Sequence, residues 1–84
     1  AADSPQAWFV LGQATHALGY AAPGGLDRGR LREAEGHYTR AARLARVHKF
    51  SGLEGAIRLN RGKVRHLLGG NGDSDFAAAV ELDP

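Results

Sequence analysis

The chain has 84 residues, a length that fits one small domain, and such a domain buries only roughly 60 to 65% of the surface that its unfolded form exposes. It contains no cysteine, which excludes a disulfide framework, thiol catalysis and thiolate metal sites. The formal net charge is +2, yet all eleven Lys and Arg residues lie between Arg28 and Arg65, whereas four of the nine acidic residues follow Leu67. The middle of the chain is therefore basic and its C-terminal part acidic.

No apolar run reaches the roughly 18 residues that a membrane-spanning helix needs, so we expect a soluble chain without membrane association. The N-terminal stretch AADSPQAWF has no charged leader followed by an apolar segment. The cytoplasm is the favoured compartment. Small residues from Ala1 to Pro5 also suit a mature end left after removal of an export signal, so that alternative stays open.

Apolar periodicity predicts a first helix from about Pro5 to Leu18, because Ser4 is a cap-like residue and the first helical turn tolerates proline. Residues 19–29 are rich in glycine, include a proline and have no period, so they are predicted to form a loop.

Three further helices are predicted after this loop. The second runs from Arg30 to about His48, with Ala34 and Tyr38 among the apolar residues that return every three or four positions. The third runs from Leu53 to Leu68 and is followed by a glycine-rich turn. The last is short, is capped by Asp73 or Ser74 and ends near Leu82.

Two parts of the sequence resemble the tetratricopeptide repeat family. The segment NRGKVRHLLGGNGDSDFAAAVELDP resembles the second half of the repeat, and the matching residues are Asn60, Arg61, Gly62, Leu68, Gly69, Asp75, Phe76, Ala79, Leu82, Asp83 and Pro84. Earlier in the chain, Trp8, Leu11 and Gly12 are similar to the opening of the repeat, and Ala34 with Tyr38 resembles its alanine and aromatic pair.

This resemblance implies an all-α fold in which antiparallel helix pairs stack as a short right-handed α-solenoid of four helices. The first repeat covers about residues 5–49 with a loop insertion at 19–29, and the second covers about 53–82. Because a repeat stack usually needs about three units, we expect a longer array, or pairing with another copy or a partner.

The resemblance also implies a non-enzymatic scaffold that binds a peptide or protein segment in a concave groove. Transferred by motif position, the groove residues are Gln6, Phe9, Gln13 and His16 from the first repeat and Leu59, Asn60, Lys63 and His66 from the second. These amide, aromatic and basic groups suit a mixed polar and apolar peptide, and an acidic peptide is one of the expected partners. Only Asn60 fits the scheme by which family members grip a terminal carboxylate, so we predict no such clamp.

A second candidate surface is basic. Its residues lie three or four positions apart on two predicted helices: Arg40, Arg43 and Arg46 on one, Arg58, Arg61 and Arg65 on the other. A positive field attracts acidic peptides or phosphates. The alternative functions are therefore nucleic-acid or phosphate-rich ligand binding through the Arg28–Arg65 region, or self-assembly. The same arginines also suit a solvated surface, or stems that cover apolar neighbours and pair with an acidic tail.

Residues that could carry chemistry are not grouped. The four histidines, His16, His37, His48 and His66, have no cysteine companions, and their nearest carboxylates lie on a helix surface that the pattern predicts to be exposed. A phosphate-binding loop follows a strand and ends in a Lys-Ser/Thr pair. The glycines from Gly69 to Gly72 follow no predicted strand and precede no such pair. We predict no catalytic residue, no metal site and no cofactor.

Overall fold

The structure, a computed structural model, describes residues 4–20 and 23–82 and contains four α-helices and no strand within these ranges. The helices are α1 (Pro5–Tyr20), α2 (Arg28–Val47), α3 (Ser51–Leu67) and α4 (Asp73–Leu82). Each helix packs against the next one in the chain, and α1 also contacts α3. The predicted all-α fold of four stacked helices is confirmed. In the described part of the chain, none of the helices combines the length and apolarity that a bilayer crossing requires.

The loop predicted at 19–29 is shorter than expected, because both flanking helices extend into it. At the end of α1, the Tyr20 ring stacks on the His16 ring at 5.3 Å between centroids, which stabilises the two residues by which the helix extends beyond Leu18. At the start of α2, the Asp27 carboxylate accepts a hydrogen bond of 3.1 Å from the backbone N–H of Arg30. Residues 21 and 22 of the predicted insertion lie outside the described residues.

The two turns that flank α3 have the same hydrogen bonding. Phe50 donates its backbone N–H to Ala45 over 2.9 Å, and Gly70 donates to Arg65 over 2.8 Å. In both turns the residue before the donor has a positive φ, which is 84° at Gly69 and 60° at Lys49. Both turns therefore close a helix in the left-handed conformation that favours glycine.

The start of α4 differs from the prediction in one respect. The side chain of Asn71 accepts a hydrogen bond of 2.8 Å from the backbone N–H of Asp73, so Asn71 organises this helix start, rather than Asp73 or Ser74. The helix is described as far as Leu82, the last residue that the structure describes. Asp83 and Pro84, which complete the resemblance to the repeat, lie outside the described residues.

Helix α2 supplies most of the core. The buried apolar residues are Leu31, Ala34, Tyr38, Ala41, Ala42 and Ala45 of α2 with Ile57 and Val64 of α3. Trp8 and Phe9 of α1 pack against this cluster from the other side. The four alanines let neighbouring helices approach α2 closely, and each large apolar side chain that is buried contributes about 1.5 to 3 kcal/mol.

The two helix pairs repeat one contact. A Cβ atom at Gly12 of α1 would lie 2.6 Å from the Tyr38 ring of α2, and a Cβ atom at Gly62 of α3 would lie 2.7 Å from the Phe76 ring of α4. In each pair, therefore, an aromatic ring of the second helix rests on a glycine of the first. The same glycine–aromatic contact therefore occurs in both helix pairs.

The substitution Gly62→Ala tests this contact. We expect it to destabilise the fold by about 1 to 3 kcal/mol, because the added methyl group overlaps the Phe76 ring. The matched control is Gly36→Ala in α2, where nothing lies within 4 Å of an added Cβ and helix propensity predicts a gain of about 0.5 to 1 kcal/mol. Urea unfolding followed by circular dichroism measures both, and equal effects would contradict close packing at Gly62.

Candidate binding surfaces

The eight predicted groove residues lie on α1 and α3, which contact each other. Five of them are exposed: Gln6, Gln13, Leu59, Lys63 and His66. The other three have contacts inside the fold. Phe9 packs against Tyr38 with 6.0 Å between ring centroids, Asn60 donates its amide to the carbonyl of Ala56 over 2.8 Å, and His16 is buried. We call the five exposed side chains the α1–α3 face.

The His16 ring contacts two tyrosine hydroxyls, one in α2 and one in its own helix α1. Its Nδ1 lies 3.0 Å from the hydroxyl of Tyr38, and its Nε2 lies 3.3 Å from that of Tyr20. A neutral imidazole satisfies this arrangement, with one nitrogen donating and the other accepting. Burial lowers the pKa of His16 below 6.5, and the positive charge of Lys63 acts in the same direction. Burial also raises the pKa of Tyr38 to about 12, so that hydroxyl stays protonated.

The stability of the fold should fall as the pH drops below 6.5. Because the pKa of His16 is lower in the folded chain than its ordinary 6.5, the unfolded chain binds a proton first. This contribution is complete above pH 6.5 and decreases with falling pH until the folded-state pKa is reached. Urea unfolding between about pH 5.5 and 7.5 measures the slope, which His16→Gln should reduce because glutamine does not titrate. An unchanged slope would exclude His16 as its source.

The three arginines of α3 in the predicted basic surface converge on one carboxylate of α4. Asp75 is completely buried, and it accepts hydrogen bonds of 2.6 Å from Arg61, 2.9 Å from Arg65 and 3.2 Å from Arg58. The i, i+3, i+7 spacing places the three guanidinium groups on one side of α3, towards α4. We call these four residues the Asp75 cluster. Its arginines are half-buried structural groups and not a free basic surface.

Two of these arginines also reach α2. Arg65 donates to the carboxylate of Glu35 over 2.7 Å, and Arg61 donates to the hydroxyl of Thr39 over 3.3 Å. The Asp75 cluster thus connects three helices, although α2 and α4 are not in direct contact. No sequence pattern signals these two partners, because they lie 30 and 22 positions away in the chain.

The arginines of α2 differ in their surroundings. Arg46 pairs with the buried carboxylate of Glu54 at 2.7 Å, and the guanidinium of Arg40 lies 4.6 Å from the centre of the Trp8 ring. Among the described residues, Arg43 is thus the member of the predicted basic surface without such a partner. Three carboxylates, those of Glu35, Glu54 and Asp75, thus offset half of the charge of the six arginines.

The charge state of Asp75 follows from two opposing effects. Burial raises the pKa of its carboxyl group, but the hydrogen bond and charge of Arg61 lower it, helped by Arg58 and Arg65. The net result is a pKa below the ordinary 3.8, so Asp75 is ionised at neutral pH. Its stabilising contribution is therefore present above pH 3.8 and is lost as the pH falls below that value.

The substitution Asp75→Asn should destabilise the protein by about 3 to 5 kcal/mol, because it keeps the size of the side chain but leaves three guanidinium groups without their shared carboxylate. Amide hydrogen exchange should show that α4 loses protection first. The control is Glu81→Gln, an exposed carboxylate of the same helix, which should change the stability by less than about 0.5 kcal/mol. Equal effects of the two substitutions would contradict a structural role for the cluster.

Three shallow pockets lie beside the Asp75 cluster. One of about 240 Å³ is lined by Thr39, Ala42, Arg43, Arg46, Glu54, Arg58 and Arg61, and two others share the residues Glu35 and Arg65. None of these three pockets is lined by a predicted groove residue. The guanidinium groups of Arg58 and Arg61 are already hydrogen-bonded to Asp75, so Arg43 is the lining group with the most freedom to meet an anion.

Metal ligands do not come together in the part of the chain that the structure describes, where no group of three His, Asp or Glu side chains is arranged to hold an ion. No protein-family model matches the chain, and comparisons with curated proteins and with solved structures find no match. The described residues form a stack of four helices with a repeated glycine–aromatic contact, the exposed α1–α3 face and the Asp75 cluster.

Proposed function

We propose that the chain is a tetratricopeptide-like repeat scaffold that binds a peptide or protein segment on the α1–α3 face and carries out no catalysis. The observation that supports this most is the contact between α1 and α3, the two helices that carry the five exposed side chains of this face. Side chains on packed helices hold a fixed geometry better than side chains on loops. Such a face suits recognition of a partner.

The repeat assignment has support from the glycine–aromatic contacts. Gly12, Gly62 and Phe76 are among the residues on which the resemblance rests, and all three take part in the repeated contact. The same kind of contact, a glycine of the first helix against an aromatic ring of the second, occurs in both helix pairs, as a helical repeat requires. The fold thus gives the motif residues a physical reason to be where they are.

The charge of the α1–α3 face favours an acidic partner. Helix α1 has no charged residue, and the single acidic residue of α3, Glu54, is buried beneath Arg46. Lys63 therefore stands on this face without a neighbouring exposed carboxylate on either helix. A segment that pairs acidic side chains with an apolar residue against Leu59 would match it. Binding of nucleic acid or phosphate-rich ligands has less support, because most arginines already have partners.

Selection from a random peptide library on the immobilised chain tests the proposal. We expect selected peptides to be acidic, and chemical-shift changes in the chain to centre on Gln13, Leu59 and Lys63. Lys63→Glu should weaken binding of a selected peptide by about tenfold or more, equivalent to about 1.4 kcal/mol. The matched control is Arg43→Glu, the same charge reversal on an exposed residue of α2. Equal losses from the two reversals would mean that overall charge, and not this face, binds the peptide.

A further inference from the structure

Helix α1 has an apolar stripe on the side that faces away from α2. Its members are Ala7, Val10, Leu11, Ala14, Ala17 and Leu18, and all six are exposed. Val10 is 62% and Leu18 is 52% exposed, and nothing among the described residues covers them. Because α1 also lacks any charged residue from Pro5 to Tyr20, both of its sides have the composition of a buried helix.

The two glycine–aromatic contacts allow α1 to be matched with α3 residue by residue, and this match indicates what kind of surface covers the stripe. When Gly12 of α1 is matched with Gly62 of α3, Ala7 corresponds to Ile57 and Ala14 corresponds to Val64. Ile57 and Val64 are completely buried, because they join the core cluster that α2 supplies. Ala7 and Ala14 of the stripe therefore hold positions that α2 covers on α3.

Helix α4 carries the other half of the same interface. When the aromatic residues of the glycine–aromatic contacts are matched, Val80 of α4 corresponds to Ala42 of α2 and Ala77 corresponds to Thr39. Ala42 is buried, and Thr39 is hydrogen-bonded to an arginine of α3, so both of these α2 positions meet α3. In contrast, Val80 is 66% exposed and Ala77 is also exposed. The exposed side of α4 thus corresponds to the α2 side of the α2–α3 interface, and the exposed side of α1 corresponds to its α3 side.

We propose that copies of this chain associate head to tail, with α4 of one copy packed on the α1 stripe of the next. This contact continues the α2–α3 interface that already exists within the chain. Charge favours this pairing over two copies of α4, because the exposed acidic residues Asp73 and Glu81 would repel each other, whereas α1 is uncharged. The joined surfaces are different, so the association is heterologous and gives a linear oligomer or a ring.

This association uses residues other than those of the α1–α3 face, and it does not require peptide binding there. Sedimentation equilibrium of the wild-type chain should give an average mass that increases with concentration and passes that of a dimer. Val10→Glu blocks the α1 stripe, and Val80→Glu blocks α4. Each variant alone should be monomeric, because each retains only one half of the interface.

An equimolar mixture of the two variants should form a heterodimer and nothing larger, because one intact α4 then meets one intact α1 stripe. The matched control is Val47→Glu, which changes a valine that is 70% exposed at the end of α2, and it should associate like the wild type. Circular dichroism verifies that every variant keeps its helices. Substitution of exposed residues should not unfold the chain.

Four results would overturn the proposal. A wild-type chain that stays monomeric up to about 1 mM would mean that a different surface covers the stripe. A dimer that persists in Val80→Glu would indicate pairing of two α1 stripes, and one that persists in Val10→Glu would indicate pairing of two α4 helices. A mixture of the two variants that contains only monomers would exclude the head-to-tail contact directly.

Discussion

The attachment of α4 to the rest of the molecule depends on the ion pairs of Asp75. This ten-residue helix buries one residue completely, and that residue is a carboxylate and not an apolar side chain. Phe76 adds a half-buried ring against Gly62, but three arginines supply the polar partners that make burial of Asp75 possible. A buried ion pair gives less net stability than an apolar contact of the same size. It does, however, demand one geometry, and it therefore sets the register of α4 on α3.

Local sequence patterns predicted the four helices and much of the core, because both follow from the positions of apolar residues. Ala34 and Tyr38 of α2 are buried as their spacing indicated. The helix ends were less predictable. They depend on contacts such as the stacking of Tyr20 on His16, which involve side chains whose packing a sequence pattern does not give.

The basic surface illustrates where sequence reasoning stops. A stripe of arginines has the same spacing whether it faces solvent or a neighbouring helix, and only the tertiary structure distinguishes the two. Pairing with an acidic tail was one of the alternatives, and Asp75 takes that role, but Glu35 and Thr39 gave no local signal. For the candidate groove, the sequence identified the helices but did not separate the exposed side chains from a buried one such as His16.

The order of contacts along the stack also has a kinetic consequence. Apart from the contact of α1 with α3, every helix meets only the helices next to it in the chain, so most native contacts join segments that are close in sequence. Chains with such local topology fold on the scale of about microseconds to milliseconds, because little loop entropy is lost before contacts form. Helix α2 is packed on both sides, so we expect it to be the folding nucleus. Helices α1 and α4 at the two ends of the stack can unfold locally while α2 and α3 stay folded.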